Sequence, residues 1–146
     1  MAEPLQLAAG IFEDTFDVLR GCGGGLAQCV TYWLGPVADP LVDRVVHPDH
    51  AATRVSYEVD GAWLTRFFAG NRSAGRRIRL QVHTHPGRAL HSMTDDLFCI
   101  LPVSGFLSLV IPRFAAGPVG FEGSFLAEMQ ADGSWTERDP TEVFQP

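Results

Sequence analysis

Residues 83–96 read His-Thr-His-Pro-Gly-Arg-Ala-Leu-His-Ser-Met-Thr-Asp-Asp. Side chains on a strand alternate faces with period two, so histidines two apart point to the same side. His83 and His85 therefore offer two imidazoles to one point. Add one downstream carboxylate and the set is three zinc ligands, which leaves the fourth tetrahedral position open for water. Such an open set does metal-assisted hydrolysis, whereas a structural zinc site closes all four positions.

The elements that must position these residues follow from patterning. Ile78 to His83 alternates apolar with polar and predicts the strand that delivers the histidines. Thr94 to Ile100 predicts a short helix, with Ser92 or Thr94 as its N-cap. Upstream, Leu5 to Leu19 carries apolar residues near helical spacing and predicts an opening helix, broken by the glycines of residues 21–25. Cys29 to Leu34 and Leu41 to Val46 predict strands, the first closed by Gly35-Pro36. Tyr57 to Asp60 predicts a short strand, Gly61 to Ala69 a helix and Asn71 to Gly75 a turn. Phe106 to Ile111 is a strong strand. Phe121 to Gln130 and Trp135-Thr136 predict a hairpin around Asp132-Gly133. This order predicts a mixed α+β fold, one mostly antiparallel β-sheet flanked by helices, in a single domain over residues 1–146. Trp33, Trp63, Phe67 and Phe68 are expected in the core.

The formal net charge of −6 argues against nucleic-acid binding, which needs a basic face. Arg72, Arg76, Arg77 and Arg79 cluster, and read as a solvated loop before a strand. Three cysteines without a CxxC pair, Cys22, Cys29 and Cys99, predict free thiols in a reducing compartment, with Cys29 and Cys99 in the core. His47, His50 and His91 read as ordinary loop residues. The chain shows neither a basic, apolar leader nor an apolar run of the ~20 residues a membrane span needs, so the expectation is a cytoplasmic protein without a membrane partner.

The string His83-Thr84-His85-Pro86 followed by Ser92-x-x-Asp95 resembles the JAMM (MPN-type) zinc metalloproteases. The resemblance implies an MPN/JAMM-type fold, zinc held by His83, His85 and an aspartate, and the Ser92 hydroxyl beside the reacting carbonyl. It also implies a glutamate on an early strand that takes the proton of the attacking water and passes it to the departing amine. The family places seven residues between its second histidine and the serine; Pro86 to His91 supply six. The S-x-x-D spacing selects Asp95 as third ligand, and the distance from the histidine selects Asp96.

The glutamate position, ahead of Tyr32-Trp33-Leu34-Gly35, is occupied by Gln28. An amide holds a water by hydrogen bonding but is no base near neutral pH. Three explanations stand: an introduced isosteric exchange, a natural pseudo-enzyme, or another carboxylate, with Glu13 the nearest upstream, acting as the base. The intact ligand string favours an exchange in an otherwise competent enzyme. Enzymes of this family cleave isopeptide or peptide bonds after the C-terminus of ubiquitin or ubiquitin-like proteins. Bacterial members occur beside ubiquitin-like, E1-like and E2-like partners, including in antiviral defence. The alternatives are a non-catalytic MPN-type scaffold, or a zinc amide hydrolase acting on a small or carrier-protein substrate.

Overall fold

Residues 4–90, 101 and 103–145 are described in a computed structural model of the chain. Its main sheet has six strands in the order β10-β9-β8-β7-β2-β4. These are β2 (Val30–Pro36), β4 (Arg44–Val46), β7 (Arg76–Thr84), β8 (Leu107–Ile111), β9 (Phe125–Met129) and β10 (Trp135–Arg138). β7 runs parallel to β8, and every other neighbouring pair is antiparallel. The predicted α+β class, a mostly antiparallel sheet flanked by helices, is the one observed.

The two faces of this sheet are covered by different helices. Trp33, Leu80, Val82, Leu107, Leu109 and Ile111 pack toward α1 (Ile11–Gly23), which contributes Phe16 and Leu19. Val30, Tyr32, Leu34 and Phe106 pack toward α2 (Gly61–Ala74), which contributes Trp63, Leu64, Phe67 and Phe68. The interior strand β2, between β7 and the edge strand β4, is thus apolar on both sides and buried through Gly35. All four aromatics expected in the core lie in these clusters.

Several boundaries differ from the sequence reading. The opening segment is a strand, β1 (Leu5–Leu7), followed by α1 from Ile11. Gly10 between them has φ 85°, a left-handed conformation that no helix interior allows. β1 pairs in parallel with β3 (Leu41–Val42) and with β11 (Phe144–Gln145), which follows the short α3 (Pro140–Val143). The predicted strand over Leu41 to Val46 is split at Asp43, so that β3 joins β1 and β4 joins β2. β5 (His50–Ala52) and β6 (Tyr57–Val59) form a separate antiparallel hairpin.

α2 continues through the predicted turn to Ala74. Asp60 starts it by accepting from the Trp63 backbone N–H at 2.8 Å, and Gly75 at φ 69° stops it. The arginine cluster is accordingly not a loop. Arg72 closes α2, Arg76 pairs with Asp43, and Arg79 donates to the Pro36 carbonyl at 2.5 Å. The hairpin around Asp132-Gly133 is present, with Gly133 at φ 85°, although its first strand begins at Phe125. Among the described residues no helix is long and apolar enough to cross a membrane. The predicted helix over Thr94 to Ile100 lies outside the described residues.

Candidate metal centre

β7 ends at Thr84, so His83 stands inside the sheet and His85 one residue past it. His83 is flanked by Val30 on β2 and Val110 on β8, and is fully buried. It shares the α2-side face with Val30, and the Tyr57 ring lies 5.2 Å from its own. His85 is fixed from two directions. Its N–H donates to the Ile111 carbonyl at 3.0 Å, and its carbonyl accepts from the Phe114 N–H at 2.9 Å.

Phe114 belongs to an uncommon turn. Arg113, Phe114 and Ala115 all have positive φ, at 54°, 50° and 64°. Left-handed backbone costs a non-glycine residue roughly 1 kcal/mol or more. The turn is held by Arg20 on α1, which donates through Nε to the Ala115 carbonyl and through Nη2 to the Gly117 carbonyl, both at 2.7 Å. The strain is thus stored in the segment that sets the His85 backbone.

The Nε2 atoms of His83 and His85 are 3.3 Å apart. Two nitrogens bound to one tetrahedral zinc at about 2.0–2.1 Å stand roughly 3.3–3.4 Å from each other. The observed separation matches that edge, so the imidazole pair fits a shared zinc.

Gln28 is 4% exposed and precedes β2. The Val30–His83 pairing, carried two residues outward, sets Gln28 opposite His85. The step between is closed by two bonds: Cys29 N–H donates to the Thr84 hydroxyl at 3.0 Å, and Thr84 N–H donates to the Cys29 carbonyl at 3.1 Å. Thr84 therefore locks the two strands together between the two histidines. The Gln28 N–H donates to the Thr53 carbonyl at 2.9 Å, which ties this residue to the β5–β6 hairpin. Glu13 is exposed in the first turn of α1, on the opposite face of the sheet from His83. Ser92, Asp95, Asp96 and His91 lie outside the described residues.

A second group of side chains was not anticipated. Cys22 and Cys29 were expected as free thiols, yet they are joined as a disulfide with Cα atoms 6.0 Å apart. His50 Nε2 lies 3.4 Å from the Cys22 sulfur, and His47 Nε2 lies 3.5 Å from the Cys29 sulfur. Burial, reinforced by His50 and opposed by Asp49, holds the His47 imidazole below its ordinary pKa. The available signal was the C-x6-C and H-x2-H pair of spacings, but only the fold brings the two halves together.

No protein-family model matches the chain. It is 41% identical over 125 residues, 82% of its length and 77% of the relative's, to "Probable metalloprotease y4jG" of Sinorhizobium fredii. Its fold is similar to the solution structure of protein DSY2949 from Desulfitobacterium hafniense, with TM-score 0.68, 15% identity and coverage of 97% and 92%. It is also similar to the crystal structure of AF2198, a JAB1/MPN domain protein of Archaeoglobus fulgidus, with TM-score 0.56, 11% identity and coverage of 94% and 98%.

Proposed function

The chain belongs to the MPN/JAMM-type metalloproteases, and on that premise we propose that it is a zinc peptidase or isopeptidase cutting after the C-terminus of a ubiquitin-like protein. The observation that carries this reading is the buried His83–His85 pair with its 3.3 Å Nε2 separation. His83 and His85 hold the metal, with Asp95 as third ligand and Asp96 as the alternative. Zinc bound there supplies a Lewis acid and makes water acidic enough to react near neutral pH.

The chain's own residues set how far the reaction goes. Gln28, opposite His85, orients the attacking water through its side-chain amide. It cannot accept the proton or return one to the leaving amine, so this chain binds substrate and turns over slowly. Ser92 donates its hydroxyl to the oxygen of the scissile carbonyl as charge develops there. The substrate tail lies extended and pairs with the β5–β6 hairpin by β-addition, beside Tyr57 and the Gln28–Thr53 bond.

Gln28→Glu tests this reading. Incubated with a fusion of a matched ubiquitin-like protein, the variant should gain roughly 10²–10⁴-fold in cleavage. A chelator, or His83→Ala in the same background, should abolish the gain. The amide at position 28 also favours a second reading, a non-catalytic MPN-type scaffold. An inert Gln28→Glu protein that carries zinc and binds the fusion would establish that reading instead.

A further inference from the structure

We propose that Cys22, Cys29, His47 and His50 form a second metal site, a closed structural zinc centre of two thiolates and two imidazoles. The ligand atoms of these four residues all lie within 4.8 Å of one another. Zinc bonded to sulfur at about 2.3 Å and to nitrogen at about 2.0–2.1 Å has tetrahedral S···N edges of roughly 3.5 Å. Two of the four S···N separations are 3.4 and 3.5 Å, one imidazole on each sulfur. A disulfide needs no imidazole, and here there are two, each presenting Nε2.

An independent observation concerns the proton on His50. The Pro48 carbonyl accepts from His50 Nδ1 at 3.0 Å. That places the proton on Nδ1 and leaves the Nε2 lone pair facing the Cys22 sulfur, the usual outer-shell arrangement of a metal-bound histidine. The donor set is the one that selects tetrahedral zinc.

The topology gives the site a purpose. Cys22 is in the last turn of α1, and Cys29 follows a reversal through Gly24 and Gly25, both at positive φ. His47 follows β4, and His50 opens β5. A disulfide closes only the first of these loops, whereas a shared ion also ties it to the second. The tied residue, Cys29, follows Gln28 and is bonded to Thr84 between the two histidines of the first centre. Zinc binding to the reduced pair releases two protons and moves no electrons. The disulfide is the two-electron-oxidised, metal-free state, and a phosphine reductant opens it.

Cobalt(II) titration of the full chain carrying His83→Ala and His85→Ala, kept reduced with a phosphine, separates this site from the catalytic one. The expected result is a sulfur-to-cobalt charge-transfer band and strong tetrahedral visible bands, saturating near about one equivalent and displaced by zinc. Cys22→Ser and His50→Ala should each remove or sharply weaken the charge-transfer band. The charge-transfer band alone gives the readout on the unsubstituted chain if the double variant fails to fold, because the proposed catalytic ligands include no sulfur. A reduced, folded chain with no sulfur-to-cobalt band overturns the proposal, as does a band unchanged by Cys22→Ser.

Discussion

At the scale of single residues, the histidine face of β7 depends on how its polar neighbours are satisfied. Gln81 shares that face two residues before His83, and its Nε2 donates to the Ser108 hydroxyl at 3.1 Å, with both residues buried. Ser108→Ala leaves the amide donor without that acceptor in a dry environment, which costs roughly 1–3 kcal/mol. Urea denaturation should show that loss. The His83–Thr84–His85 pattern was legible in the sequence because strand alternation is a local rule. The Cys22, Cys29, His47 and His50 group was not, because each residue taken singly matches an ordinary core or loop role. Their meeting depends on the α1–β2 turn lying against the β4–β5 loop, and no local periodicity encodes that.

At the scale of elements, two glycines show how the same residue serves opposite purposes. Gly35 lies in β2 where a Cβ would overlap the Leu41 carbonyl oxygen, a backbone atom that cannot swing aside. Gly35→Ala should therefore destabilise the fold by roughly 1–3 kcal/mol. Gly70 lies inside α2 with open space where its Cβ would be. Gly70→Ala should instead stabilise by about 0.5–1 kcal/mol, since alanine restricts the unfolded chain and suits a helix. Thermal unfolding of the two variants should move in opposite directions. The main-sheet strands were readable from alternation, β-branched and aromatic content, and so was α2 as far as Ala69, although its last turn was not. The start of α1 was not readable, because Leu5 makes a helical spacing with Ala8 and a strand alternation with Leu7. Parallel pairing with β3 and β11, contributed by residues far along the chain, decides between them.

At the scale of the whole molecule, the helix on one face of the sheet steadies the backbone of His85 at the end of β7. Arg20 projects from α1, its guanidinium 5.2 Å from the Phe16 ring, and bonds the carbonyls of Ala115 and Gly117. Those carbonyls belong to or follow the left-handed turn whose Phe114 N–H holds the His85 carbonyl. Removing the guanidinium leaves three strained residues with fewer restraints, while the imidazole pair itself keeps every atom. Arg20→Met preserves much of the aliphatic packing and deletes both hydrogen bonds. It should cost about 1 kcal/mol in stability, because the side chain is exposed and water replaces part of what is lost. Its effect on the proposed metal centre should be larger than that figure implies, since metal affinity depends on ligand geometry at the ångström scale. Zinc affinity measured by competition with a chromogenic chelator should fall in Arg20→Met by about ten-fold or more. Arg20→Lys should restore little of it, because an ammonium group lacks the planar fork that reaches two carbonyls at once. Equal zinc affinity in Arg20→Met and the parent chain would mean that β7 and β8 alone fix His85, with the turn a bystander.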